Sequence, residues 1–421
     1  MKDVDSVSHP QMAREAAAEA VPLQAAVRPS APGIPRRFRN YLALDDFEQA
    51  ARRHLPRMIY GYVSGAVETG SGLREARQAF ADLALLPRTL MDVAGRHQLR
   101  ELFGRSYASP FGIAPLGGAA MVAYRADIAL AGAARTAGVP MILSASSLIK
   151  LEEVQRENPD AWFQAYLAGH QPRIDALIDR VEAAGFGTLV VTADTPVPGN
   201  RENNIRSGFS MPLRITPKVA LDSALHPRWL IGTVGRTFLH HGVPHFENMD
   251  AAQGPPMFSR DFVRNMNSRD QLGWRHVEAI RQRWKGKLVI KGLLAAADVR
   301  MARQLGADGV IISNHGGRQL DYALAPMRAL PELRAEAEGM ALMLDGGIRR
   351  GTDVLKALAL GADFVFLGRP FLYAASLGGA PCVLHAIRLL SEEIHRDMAL
   401  MGLRGLDEIS PAMVRPIPGG R

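Results

Sequence analysis

The rhythm of hydrophobic and polar residues changes near residue 110. Before it, from Tyr41, apolar positions recur at helical spacing. Leu44-Asp45-Asp46-Phe47 predicts a helix opened by an aspartate cap, and the stretch from Leu55 to Tyr62 predicts a second, with Pro56 tolerated in its first turn. Gly65-Ala66 and Thr69-Gly70-Ser71-Gly72 then break the chain before a third helix that runs through Phe80. From residue 111 onward, short apolar runs alternate with helical patterns at the interval of βα units. The runs are 111–115, 141–144, 162–166, 188–193, 287–290, 309–313, 341–344 and 364–367, eight in all. Residues 128–137, 151–155, 174–184, 295–305 and 352–360 read as helices between them. Eight parallel strands with intervening helices close most economically as an α/β (β/α)₈ TIM barrel, here with an N-terminal helical cap. A doubly wound open sheet is the alternative. It would carry a glycine-rich fingerprint after its first strand, which Pro115-Leu116-Gly117-Gly118-Ala119 imitates only loosely.

The expected organisation is a disordered tail over 1–34, a helical cap over 35–105 and a barrel over 106–421 with an insert at about 205–270. The tail is rich in Ala, Pro, Gln and Glu. With Asp3, Asp5 and Glu15 it makes no secretory signal, and no segment reads as long and apolar enough to span a bilayer. The connection from 196 to 286 is far longer than a helix and two turns require, so it reads as functional or mobile. Within it, Leu225-His226-Pro227-Arg228-Trp229-Leu230-Ile231 and Arg236-Thr237-Phe238-Leu239-His240-His241 interleave apolar residues with cations. Such a stretch is either a folded lid or oligomer contact, or a membrane-surface patch through residues 225–245. In the second case Trp229, Leu230, Ile231, Phe238 and Leu239 would enter the headgroup region.

Composition narrows the function classes. With 421 residues, 47% hydrophobic and 22% charged, the chain is an ordinary globular protein. A single cysteine, Cys382, rules out an internal disulfide framework and fits a reducing compartment. The net charge of +8 and a pI near 9.8 suit anionic ligands or an anionic membrane surface. Lys and Arg are scattered and form no basic stripe, so no nucleic-acid partner is expected, nor a metal site.

Chemistry gathers where the apolar runs end, which in this fold is where active sites lie. The second run ends at Ser144, the third carries Gln164 and Tyr166, the fourth ends in Thr192 and Asp194, and the fifth in Lys291. Ser313-Asn314-His315 closes the sixth, Asp345-Gly346-Gly347 with Arg349 the seventh, and Gly368-Arg369 the eighth. Glycine-uncovered backbone N–H groups beside cations after strands seven and eight predict a phosphate cradle. Lys291, at the end of a buried strand, needs a compensating anion or electron-rich acceptor. A flavin ring, which becomes anionic on reduction, would satisfy it; a nicotinamide would not.

Ser313-Asn314-His315-Gly316-Gly317-Arg318-Gln319-Leu320-Asp321, Asp345-Gly346-Gly347-Ile348-Arg349-Arg350-Gly351, and Ala357-Leu358-Ala359-Leu360-Gly361-Ala362 with Leu367-Gly368-Arg369-Pro370 are specific motifs. On these motifs the chain, from about 41 to about 412, resembles the FMN-dependent L-2-hydroxy acid dehydrogenases and oxidases, the family of glycolate oxidase, lactate dehydrogenase (cytochrome) and mandelate dehydrogenase. The resemblance implies FMN, its ring held by Pro115, Leu116, Gly117, Ser144, Gln164, Thr192, Lys291 and Ser313. It implies a phosphate held by Asp345, Gly346, Gly347, Arg349, Gly368 and Arg369. His315 would be the catalytic base, Asp194 its orienting carboxylate, and Tyr166 a hydrogen-bond partner of the substrate hydroxyl. Tyr62, Arg318 and Arg201 would hold the substrate carboxylate.

The implied reaction is oxidation of an (S)-2-hydroxy acid, of L-lactate or L-mandelate type, to the 2-oxo acid. Ser146, where plant glycolate oxidases carry tryptophan, and Gly117, where oxidases often carry alanine, enlarge the pocket and disfavour glycolate. Glycine at 117 is typical of the dehydrogenases and points to a quinone or cytochrome acceptor. The Leu225 to Trp229 stretch resembles the membrane-binding insert of bacterial mandelate and lactate dehydrogenases. A homotetramer, cytoplasmic and peripheral on the inner face of the cell membrane, is expected. An oxygen-using oxidase, a non-redox FMN isomerase and a large-substrate relative on the same barrel remain as alternatives.

Overall fold

The computed structural model describes residues 35–259 and 268–417. The expected disordered tail, the 260–267 portion of the insert and the last four residues lie outside the described residues. Eight parallel strands form one sheet: β1 (Phe111–Ile113), β2 (Ile142–Ser144), β3 (Trp162–Ala165), β4 (Thr188–Thr192), β5 (Lys287–Leu293), β6 (Gly309–Ile312), β7 (Ala341–Asp345) and β8 (Phe364–Leu367). From β2 to β8 each strand pairs with the next in sequence, β8 pairs with β1, and a parallel bridge between Ile113 and Met141 closes the ring. The apolar runs are thus the staves of a barrel. Both faces of each stave are covered, which is why they read as continuous hydrophobic stretches and not as alternation. Inside sits a separate core that includes Ile142, Trp162, Val190, Val289, Ile311, Met343, Phe364 and Phe366. A short hairpin, Arg100–Leu102 with Arg105–Tyr107, closes the bottom by placing Phe103 5.4 Å from Trp162 and Tyr107 5.7 Å from Phe364.

The N-terminal helices are α1 (Leu44–His54), α2 (Arg57–Ser64) and α3 (Ser71–Ala81). The first is capped by Asp46, which lies inside its first turn and accepts from the backbone N–H of Leu42 and Ala43. Among the outer helices, α4 (Ala126–Ala137) and α5 (Arg369–Met401) pack together, and α1 lies along α5. The helices Trp274–Arg283 and Pro326–Glu336, together with α5, fall where the sequence pattern singles out none. Pro331 in the second and a break at Gly378-Gly379 in α5 blur the helical period. One expectation is corrected here. Helix α5, at 33 residues, is long and apolar enough to cross a bilayer by length and composition. However, 67% of its most apolar window is buried within the protein, so this is the helix that closes the barrel's outer layer.

Between β4 and β5 the chain builds short helices at Glu202–Ser207, Pro217–Ala224 and Arg236–His241. Trp229 does not face outward as expected for a membrane residue. It is 4% exposed and its Nε1 donates to the Met121 carbonyl at 3.1 Å. Leu230 is half-buried, whereas Leu221, Leu225, Ile231, Phe238 and Leu239 are exposed.

Candidate active site

The strand ends open into a cavity of about 260 Å³. Of the expected residues, Tyr62, Pro115, Leu116, Gly117, Tyr166, Thr192, Arg201, Lys291, His315, Arg318, Asp345, Gly346, Gly347, Arg349, Gly368 and Arg369 line it, together with Ser146. Ser144, Gln164, Asp194 and Ser313 lie one layer behind and hold the lining residues in place. Ser144 Oγ donates to Gln164 Oε1 at 3.0 Å, and Ser313 Oγ accepts from Lys291 Nζ at 2.7 Å and from the His315 N–H at 3.0 Å.

His315 is the hub of the site. Its Nδ1 lies 2.9 Å from Asp194 Oδ1, which places the proton on Nδ1 and leaves Nε2 as the basic nitrogen. The Tyr166 hydroxyl lies 3.3 Å from Nε2. Burial alone would raise the Asp194 carboxyl, but the charge and hydrogen bond of His315, with Lys291, draw it below its ordinary value and keep it anionic. Burial and the Asp194 charge push the Tyr166 phenol up to about 12, so it stays a neutral donor. Backbone shape makes this pair possible. His315, Gly316 and Gly317 are three successive left-handed residues, with φ of 55°, 64° and 72°. A Cβ on Gly317 would sit 2.6 Å from the Leu73 nitrogen, so only glycine lets α3 approach this turn. At the irregularity in β5, Gly292 has φ 102°, and a Cβ there would fall 2.5 Å from the Asp194 Cγ. The space that Asp194 occupies is made by that missing side chain.

The cations are distributed unevenly. Lys291, 4% exposed, pairs with Asp345 Oδ2 at 2.7 Å. The compensating anion that its burial requires is therefore Asp345, and the burial cost alone does not call for a flavin. Arg318 Nη1 donates to the carbonyls of Tyr62 at 2.8 Å, Val63 at 3.3 Å and Gly65 at 3.0 Å. Arg369 reaches the carbonyls of Val63, Gly65 and Gly316. Apart from Gly316, these are the orphan acceptors at the end of α2, so two site arginines cap a helix C-terminus. Burial, reinforced by Arg201, pulls the Arg318 guanidinium down to about 9; burial and Arg77 pull Arg349 to about 10. Arg201 donates to the Arg318 carbonyl and to Gln319 Oε1. Gln319 in turn holds the carbonyls of Asp194 and Val197. The sequence reading gave no role to Gln319, although it lies inside a recognised motif; nor to Arg269, which also lines the cavity and stands alone in an aperiodic polar stretch.

The donor set fits FMN. Gln164 Nε2, Thr192 Oγ1 and Asp345 Oδ1 are buried polar atoms without partners among the described residues, as a ring edge rich in donors and acceptors would require. Gly346, Gly347 and Gly368 leave backbone N–H groups uncovered beside Arg349 and Arg369, where α5 begins.

Known proteins resemble this chain over most of its length. The family model described as FMN-dependent dehydrogenase matches residues 51–416. An (S)-mandelate dehydrogenase of Pseudomonas putida is 35% identical over 373 residues, 88% of this chain and 93% of that protein. An L-lactate dehydrogenase of Xanthomonas euvesicatoria pv. vesicatoria (strain 85-10) is 38% identical over 376 residues, covering 87% and 95%. Among solved structures, a monotopic membrane protein (S)-mandelate dehydrogenase superposes with a TM-score of 0.84 at 35% identity, over 90% of this chain and all of that one. A mandelate oxidase with (S)-2-phenylpropionate superposes at 0.73 with 32% identity, over 89% and 98%.

Proposed function

This chain belongs to the FMN-dependent dehydrogenase family, and on that premise we propose how its residues carry out the FMN-dependent oxidation of a 2-hydroxy acid to the 2-oxo acid. The observation that carries the reading is the His315–Asp194 pair, with its basic Nε2 in a cavity that also holds Tyr166, Arg201 and Arg318. Arg318 and Arg201 grip the substrate carboxylate, helped by Tyr62, whose hydroxyl rests on the Gly117 carbonyl at 2.9 Å. His315 Nε2 takes a proton from the substrate, and Asp194 stabilises the imidazolium that forms. The proton comes from the hydroxyl or from Cα; the same base serves either route. Tyr166 donates to the substrate hydroxyl oxygen.

Pro115, Leu116, Gly117, Ser144, Gln164, Thr192, Lys291 and Ser313 would hold the FMN ring, and Gly346, Gly347, Arg349, Gly368 and Arg369 its phosphate, with Asp345 fixing Lys291. Bound FMN supplies the acceptor for the two electrons that leave the substrate. Ser146 and Gly117 face each other across the cavity wall, and a Cβ on Gly117 would lie 3.1 Å from Ser146 Cβ. That open wall supports a substrate of lactate or mandelate type over glycolate. The exposed Leu225, Ile231, Phe238 and Leu239 support peripheral membrane contact, for which we expect the cytoplasmic face, and glycine at 117 supports passage of electrons to a quinone or cytochrome. We also expect a homotetramer. The test is anaerobic mixing of FMN-loaded protein with L-lactate, L-mandelate and glycolate while following flavin absorbance. Bleaching by lactate or mandelate, faster than by glycolate, is expected. Bleaching by dithionite alone would remove the 2-hydroxy acid reading.

A further inference from the structure

Among the described residues, every cation at the cavity but one has a polar partner. Lys291 has Asp345, Arg349 lies 3.6 Å from Asp45 and 4.0 Å from Glu48, Arg318 and Arg369 rest on carbonyls, and Arg201 on a carbonyl and an amide oxygen. Arg269 is the exception. Its guanidinium lies 4.6 Å over the Tyr166 ring, and its Nη2 is buried with no acceptor among the described residues. The carboxylate that would serve it, Asp250, is already held by Arg173 through contacts of 3.0, 2.7 and 2.8 Å. Burial pulls the Arg269 guanidinium below its ordinary value, as expected for a desolvated cation whose counter-charge is committed elsewhere. A ring face compensates only part of that desolvation.

We propose that Arg269 is a specificity residue that binds a second anionic group on the substrate, so that the preferred 2-hydroxy acid carries a distal carboxylate or an equivalent anion. The inference rests on the 2-hydroxy acid reading and narrows it. The geometry supports it from both sides. Arg269 packs on the Tyr166 ring whose hydroxyl meets His315, and all three line the same cavity, so Arg269 shares the wall beside the base. Arg318 and Arg201 already serve the α-carboxylate, which leaves Arg269 free for the far end. A distal carboxylate would receive the donor that nothing among the described residues accepts, in the bidentate form a guanidinium favours.

The experiment compares (S)-malate and (S)-2-hydroxyglutarate with (S)-lactate and (S)-mandelate as reductants of the holoenzyme, in the native protein, R269Q and R269K. The native protein is expected to favour one dicarboxylate in kcat/KM for flavin reduction. R269Q should reduce that preference roughly ten- to hundredfold, the size expected when a hydrogen bond to a charged group is lost, and R269K should restore part of it. A native protein that favours the monocarboxylates, with a ratio that R269Q does not move, overturns the proposal and leaves the 2-hydroxy acid reading intact. If no 2-hydroxy acid reduces the flavin, that reading falls, and calorimetric binding still decides for Arg269. Tighter binding of 2-oxoglutarate than of 2-oxobutyrate, lost in R269Q, supports the anionic subsite; equal binding rejects it. A matched melting temperature for R269Q, or the R269K result where R269Q is unstable, separates specificity from folding.

Discussion

The loop after β6 and the insert after β4 both rise over the barrel mouth, and they are built on opposite terms. From Ser313 to Asp321 nearly every polar group is engaged: Ser313 with Lys291, Asn314 with the Gly72 carbonyl and the Gly317 N–H, His315 with Asp194, Arg318 with the end of α2. Asp321 accepts from the Thr69 N–H and hydroxyl and from the Gly72 N–H. The described part of the insert is rooted on its inner side, through contacts such as Trp229 on the Met121 carbonyl, Asn203 on the Gly61 carbonyl and Arg180 on the carbonyls of Glu247 and Asp250, and it turns Ile231 and Leu239 to the outside. A reacting group needs a fixed position, and a strained, multiply bonded turn provides one. A surface that meets a variable or fluid partner needs only a firm root.

The contrast can be broken from either side. The largest effect is expected at the loop. His315→Gln should keep FMN bound while the rate of substrate-driven flavin bleaching falls by roughly 10² to 10⁴, the usual worth of a general base; bleaching at the native rate would refute the role of His315. Within the insert the root and the surface should separate. Trp229→Ala should lower stability by about 3 kcal/mol, as loss of a buried aromatic does, and thermal melting would show it. Leu239→Ser combined with Ile231→Ser should change stability by only about 0.5 kcal/mol per site, yet weaken flotation with anionic vesicles. If Trp229→Ala alone abolished flotation without a melting shift, the assignment of root and surface would be reversed.

The smallest effect is a pH dependence in the loop. Burial would raise the Asp321 carboxyl, but hydrogen bonds from Thr69, Gly72 and Tyr322 outweigh it and hold it at about 2. Its folded value lies below the unfolded one of about 4, so the stability it adds is complete above that pH and is lost as pH falls from there towards 2. Asp321→Asn should flatten that part of the melting profile.

The barrel was legible because its staves are apolar on both faces and end abruptly in polar residues, a signal local to each run. For the same reason His315, Lys291, Thr192 and Gln164 could be picked out by their place at strand ends. What was hidden depends on partners far along the chain. The hydrogen-bond acceptor for Trp229 is the Met121 carbonyl, and an amphipathic stretch does not reveal which of its aromatics turns inward. The counter-ion of Lys291 is Asp345, two strands away around the ring. Arg269 has no periodic context at all, and its importance appears only when Arg173 is seen to hold Asp250. The double use of Arg318 was equally invisible, since a motif names a side chain but not its second partner.

That double use bears on how such a protein can diverge. Arg318 and Arg369 complete the end of α2 while facing the cavity, so drift at either position would unseat a helix along with a ligand. Ser146 and Arg269 carry no such structural duty towards the N-terminal helices, and new substrate ranges are open to them. The scaffold thus divides its pocket into an inheritance that is hard to alter and a margin left free for experiment.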